Sequence, residues 1–223
     1  MLSQLYVKGL FMILDKLLQG GFMMLPLAAF SVVAIAVVLD RWRAFRRYDK
    51  VDNRSLTARV IEHAWNDDLG SAAVLCSHTP GPVAAVLLAG VQAYDKARNR
   101  QESPIPVHVT VKEAMDDYSV RAISAVERRF GVLSTVGNAA PLLGMTGTVL
   151  GMIASFESLA AGGVNNEGVA AGISEALVTT ATGLIVALMA VIPFNYFNSR
   201  SDGIDLAIEE VKAQFVDTVA QVG

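Results

Sequence analysis

From Phe130 to Ser199 the chain carries no Lys or Arg, and its only acids there are Glu157, Glu167 and Glu175. Glu175 interrupts a run that is otherwise apolar, small or hydroxylic. A carboxylate inside a membrane-crossing run costs on the order of 3 kcal/mol on insertion scales and as a rule marks an ion path or a proton relay. With no cation in the run, the side chain reduces that cost by carrying a proton, which it can later release. The alternative is a carboxyl that only hydrogen-bonds between helices. On an ideal helix Thr179 and Thr182 fall near the face of Glu175, while Thr180 sits about 140° away, toward a different neighbour. Thr148 stands on the adjoining apolar run, with Asn138 and Thr135 further along it. These hydroxyls either line a polar conduit with Glu175 or bond back to their own helices.

The elements that must position these residues are membrane helices, and the composition agrees. Of 223 residues, 53% are hydrophobic and 17% charged, against roughly a quarter charged in an average soluble domain. The charge-free run from Phe22 to Leu39, with Gly21, reaches the roughly 18 to 20 residues that cross about 30 Å of hydrocarbon, which predicts a first span over 21–40. Pro26 lies in its opening turns, where a missing N–H does least harm. Two more spans fit 130–157 and 169–198, joined by a Gly- and Asn-rich turn at 158–168. Both exceed a minimal span, so tilt or protrusion is expected. Gly147 with Gly151, and Ala140 with Gly144 and Thr148, form small-x-x-x-small series. Gly172, Ala176 and Thr180, then Thr179, Gly183 and Ala187, repeat the spacing on the third span. Such series let helix backbones approach closely.

Cations near span ends fix orientation, because Lys and Arg are retained in the cytoplasm. Arg41, Arg43, Arg46, Arg47 and Lys50 follow the first span, Arg121, Arg128 and Arg129 precede the second, and Arg200 follows the third. The 158–168 turn has none. This places the N-terminus outside, with 41–129 and a C-terminal helix at 199–223 inside. Residues 1–20 read as an uncleaved amphipathic helix at the lipid surface, with Leu2, Leu5, Leu10, Leu14 and Leu17 near one side and Lys8, Asp15 and Lys16 largely opposite. A helix packed on protein is the other option. Asp15 and Lys16 break the uninterrupted run that a secretory signal needs.

The inner segment 41–129 reads as a helical layer broken at Pro80-Gly81-Pro82 and at Pro104 and Pro106. Its last piece, 107–129, has no Gly or Pro and is expected to run into the second span as one rod. In the tail, Ile204, Ile208, Val211, Phe215 and Val219 recur at helical spacing. One such stripe cannot bury itself. It needs the inner segment or the same tail of neighbouring copies, a first argument for a homo-oligomer.

Other functions are excluded on chemical grounds. A net charge of −3 lacks the basic footprint of a nucleic-acid binder. Cys76 is the only cysteine, and His63, His78 and His108 share no ligand spacing, so neither a disulfide framework nor a metal site is expected. Gly144 to Gly151 superficially resembles a phosphate loop, but no Lys follows its glycines. No nucleophile–base pairing appears, which argues against an enzyme and calls for no cofactor. Three spans without an inverted repeat do not suit a secondary transporter. Glu113, Asp116 and Asp117 read as a solvated face, with a cation-attracting vestibule as the other option.

The segments Ala140-Pro141-Leu142-Leu143-Gly144-Met145-Thr146-Gly147-Thr148-Val149-Leu150-Gly151 and Gly172-Ile173-Ser174-Glu175-Ala176-Leu177-Val178-Thr179-Thr180-Ala181-Thr182-Gly183 resemble the ExbB/TolQ/MotA proton-channel family. The order of one span, a large inner loop and two spans is similar to its ExbB and TolQ branch, MotA-type subunits having four. The resemblance implies an all-α, three-span protein of the bacterial inner membrane, assembled as a pentamer around a single-span ExbD/TolR-like partner that carries a protonatable Asp. Proton flow would drive rotation, and the work would pass to a periplasm-spanning TonB- or TolA-like protein. Carried over by position, the family's pore threonines fall on Thr148 and Thr180 and its membrane acid on Glu175. Thr179, where ExbB and TolQ commonly have Ala, is a departure that adds polarity, and either hydroxyl is a candidate for the pore. A reading of a different class is a passive oligomeric scaffold for envelope proteins.

Overall fold

The computed structural model describes residues 21–99, 105–162 and 166–222. Its elements are α1 (Met24–Tyr48), α2 (Asn53–Trp65), α3 (Leu69–His78), α4 (Pro82–Arg98), α5 (Val107–Glu127), α6 (Phe130–Gly162) and α7 (Asn166–Val222). No strand occurs among the described residues. The helix expected over 1–20 lies outside them. Helices α1, α6 and α7 are long and apolar enough to cross a membrane. The chain divides into two compact units, one holding 21–39 with Arg129–Asn195, the other Asp40–Arg128 with 196–222.

In the first unit, α1 opens from a turn in which the Met24 N–H donates to the Gly21 carbonyl at 3.1 Å, with Gly21 at φ 64°. Pro26 is the third helical residue, where an N–H would have no partner within the helix anyway. Pro141 in α6 and Pro193 in α7 each remove one ladder hydrogen bond, yet both helices continue through them. The packing of α6 on α7 is set by glycine. A Cβ at Gly183 would lie 2.7 Å from the Ala140 carbonyl oxygen and 3.0 Å from Gly144 Cα, and one at Gly151 would lie 2.8 Å from the Gly172 carbonyl oxygen. At such separations the backbones themselves are in contact, the geometry that small-x-x-x-small series permit. Buried Ser155 extends the series, donating to Gly151 O at 2.8 Å and to Val169 O on α7 at 3.3 Å. The outer faces stay apolar: Val32, Leu142, Val149, Phe156, Leu177 and Leu188 are all exposed. Surfaces of that kind require lipid or neighbouring helices.

The second unit is built differently. Asp52 caps α2 by accepting from Arg54 N–H, and Asp68 caps α3 by accepting from Ser71 N–H. The Ser71 bonds hold the Asp68 carboxyl below the usual carboxylate range. Pro82 begins α4, where its fixed φ suits the first turn. Val60, Val86, Leu87, Val111 and Met115 form the core. Into it pack Ile208 and Phe215 of α7, both 0% exposed. The tail stripe is therefore covered by the chain's own inner segment, and it no longer argues for neighbouring copies. Beside it Lys212, 7% exposed, pairs with Asp116 at 2.5 Å and Glu209 at 2.7 Å. Burial alone would lower its proton affinity, but the two carboxylates outweigh that and leave it above the ordinary lysine value. Asp116 is thus an ion-pair partner rather than part of a purely solvated face. Asp49 pairs with Arg200.

The sequence expectation of one rod from 107 into the second span is wrong. Helix α5 stops at Glu127, Arg128 is extended (ψ 127°) and Arg129 adopts φ 79° before α6 begins. In a continuous helix the Val126 carbonyl would accept from Phe130 N–H. Instead it accepts from the Arg41 guanidinium at 3.2 Å, while Val132 N–H turns back to Arg129 O at 3.1 Å. The third span and the tail, by contrast, are one helix of 57 residues.

Candidate functional site

Helix periodicity sorts the polar residues of α7 into three sets. Gly172, Ala176, Thr179 and Gly183 form the stripe against α6 and are all buried. Glu175 lies on one flank of that stripe, with Thr182, and Thr180 lies on the other, with Ile173 and Leu177. The 140° offset expected between Glu175 and Thr180 is thus realised as two different surroundings.

Thr179 is 1% exposed, donates to the Glu175 carbonyl at 2.9 Å and presses its methyl on Gly147. It fills the helix interface. Thr180, half-buried, donates across to the Gly144 carbonyl of α6 at 3.0 Å. Thr148 is half-buried and donates to Met145 O of its own helix at 2.6 Å. Thr135 donates to Gly131 O and Thr182 to Val178 O, both at 2.8 Å, and Asn138 is exposed. Most of these hydroxyls therefore bond back to their own helices, and Thr180 bridges to another. A hydroxyl oxygen that donates one bond still has lone pairs to accept with.

Thr148 also lines a groove of about 350 Å³ between α6 and α7, whose other walls include Met152, Phe156, Ile173 and Leu177. Glu175 is not among its lining residues. Its carboxyl instead approaches Gly21 at the start of α1, so closely that a Cβ at Gly21 would overlap Oε1. The structure thus places Thr148 on the groove, Thr180 on the same flank of α7, and Glu175 on the opposite flank.

Sequence reasoning missed the part of Gly21, treating it only as a flank of the first span. It also missed Ser155, although Gly151 and Ser155 continue the spacing that found Gly144 and Gly147. No cluster of metal-binding side chains occurs among the described residues. His63 instead lies 3.5 Å from Asp68.

Residues 79–210 match the MotA/TolQ/ExbB proton channel family. The chain is 34% identical over 185 residues to the Tol-Pal system protein TolQ of Pseudomonas aeruginosa, covering 80% of this chain and 78% of that protein. It is 31% identical over 218 residues to an ExbB-like biopolymer transport protein of Synechocystis, covering 89% and 80%. With the biopolymer transport protein ExbB of Salmonella typhimurium it shares 36% identity over 109 residues, 47% and 45% of the two chains. An all-helical chain with three membrane-length helices, two of them joined through glycine, and a family match across more than half its length belongs to the MotA/TolQ/ExbB proton channel family.

Proposed function

We propose that this chain is the channel-forming stator subunit of a proton-driven motor in a bacterial inner membrane. It assembles as a homopentamer around an ExbD/TolR-like single-span partner. Proton passage through that assembly energises a TonB- or TolA-like protein for outer-membrane transport or envelope maintenance. The N-terminus is periplasmic and the C-terminus cytoplasmic, a placement that the cations at 41–50, 121–129 and 200 support.

One observation carries this reading. Glu175 is the single ionisable side chain in the stretches 22–39, 130–156 and 168–195, and it stands on one flank of two helices packed at backbone distance whose other flank carries Thr148 and Thr180. An acid kept in such surroundings needs a use. Glu175 takes and gives up the proton. Thr148 and Thr180, each already donating to a carbonyl, accept from water or from a partner's acid on the other flank. The glycines hold α6 against α7 so that these oxygens keep their places.

The test is proton uptake by membrane vesicles containing the chain co-expressed with its single-span partner. Glu175→Gln should abolish partner-dependent uptake and Thr148→Ala should reduce it. Unchanged uptake in both variants would sink the mechanism.

The contact of Glu175 with Gly21, on the flank away from Thr148, favours a second reading in which the carboxyl is structural and the oligomer a passive scaffold. In that case Glu175→Gln weakens the complex, and the wild-type assembly passes no protons.

A further inference from the structure

We infer that the opening turn of α1 is part of the acid's site and that Gly21 is the residue that positions Glu175. The inference rests on the reading of Glu175 as a proton-handling group, and it adds a third helix to the two that carry the family's polar motifs.

Three observations support it. First, Oε1 and Cδ of Glu175 occupy the space a Cβ at position 21 would take, so any side chain there must displace the carboxyl. Second, Gly21 adopts φ 64°, a conformation glycine enters freely and other residues rarely do. Third, the side chains around the acid offer it no charge: among the described residues, neither 22–39 nor 130–156 contains an ionisable group, and on α7 itself there is none other from 168 to 195. What α1 does offer is backbone. The aligned amide dipoles of α1 give that end partial positive charge, although the Met24 and Leu25 N–H groups are taken by the Gly21 and Phe22 carbonyls and Pro26 has none. A glycine there is what lets a carboxyl reach this surface. Gly21 is a positioning residue, since it acts on protons only through Glu175.

The test uses the full-length chain in membrane vesicles and dicyclohexylcarbodiimide, an apolar reagent that adds to protonated carboxyls. Its rate of addition to Glu175 is read by mass spectrometry against pH. Gly21→Ala should move the midpoint of that profile by about half a pH unit or more, corresponding to about threefold in proton affinity. Glu175→Asp withdraws the carboxyl by one methylene, so adding Gly21→Ala to it should change nothing further. A Gly21→Ala profile that overlays the wild type would overturn the inference. So would an equal effect of Gly21→Ala in both backgrounds, which would indicate backbone strain alone. If Gly21→Ala does not fold, the pair Gly21→Cys with Glu175→Cys should be bridged by a short thiol crosslinker, and absence of the bridge would overturn the contact. None of these readouts uses proton flux, so a Glu175→Gln variant silent in the uptake assay would defeat the motor reading and leave the contact standing.

Discussion

Thr180 sends its hydroxyl across to the Gly144 carbonyl, whereas its neighbour Thr179 bonds within α7 and packs its methyl on Gly147. The two side chains should therefore answer differently to substitution. Thr180→Val removes a cross-helix hydrogen bond and should destabilise the α6–α7 pair by about 0.5–1.5 kcal/mol. It should lower proton uptake as well, with Thr180→Ser restoring both. Thr179→Ser keeps the hydroxyl and deletes a buried methyl, for a loss of about 1 kcal/mol and little change in uptake. Thermal unfolding in detergent and vesicle uptake check both. What is legible in the sequence stops here: the motifs name both threonines as pore candidates, but only the side on which α6 lies separates them. The position of α6 follows from glycines on two helices meeting, which spacing within one helix does not reveal.

At the scale of elements, the glycines of α6 and α7 are not equivalent to those elsewhere. A methyl at Gly183 would meet the Ala140 carbonyl oxygen and Gly144 Cα, which are backbone atoms unable to turn aside, while a methyl at Gly203 would meet nothing within 4 Å. Gly183→Ala should force the helices apart and lower stability by about 1–3 kcal/mol. Gly203→Ala, in the middle of α7, should raise it by about 0.5–1 kcal/mol. Chemical or thermal unfolding of both variants decides the matter, and equal effects would mean that α6 and α7 do not touch through these glycines. The three membrane-length helices were legible in the sequence because charge is absent from 22–39 and sparse from 130 to 199, and lipid imposes that pattern directly. The break between α5 and α6 was not. Nothing local to Glu127, Arg128 and Arg129 disfavours helix, and the Val126 carbonyl is taken by Arg41, 85 residues away in the chain. Helix α7 runs on past Gly203 and the rise in charge after Arg200 because its stripe keeps helical spacing through Phe215 and has a core to enter.

At the scale of the whole molecule, the distribution of cations makes a claim about sidedness that cysteine chemistry can examine. The native Cys76 is buried and its thiol is pushed up to about 11 by desolvation. Since the thiolate is the reactive form, it is scarce at neutral pH, and Cys76 should stay unlabelled by maleimide until the protein unfolds or the pH approaches that value. New cysteines can therefore be read against a quiet background. Gly203→Cys lies in open space on the tail, and Ser158→Cys lies near the end of α6, where 158–168 has no Lys or Arg. A membrane-impermeant maleimide applied to intact spheroplasts should label Ser158→Cys and spare Gly203→Cys. In inverted vesicles the pattern should reverse. Labelling of Gly203→Cys from outside would turn the molecule over in the membrane. Arg41, Arg43, Arg46 and Arg47 would then lie on the periplasmic side, against the rule that retains such clusters in the cytoplasm, and protons driven inward would meet the groove at Thr148 and the acid at Glu175 from the other end.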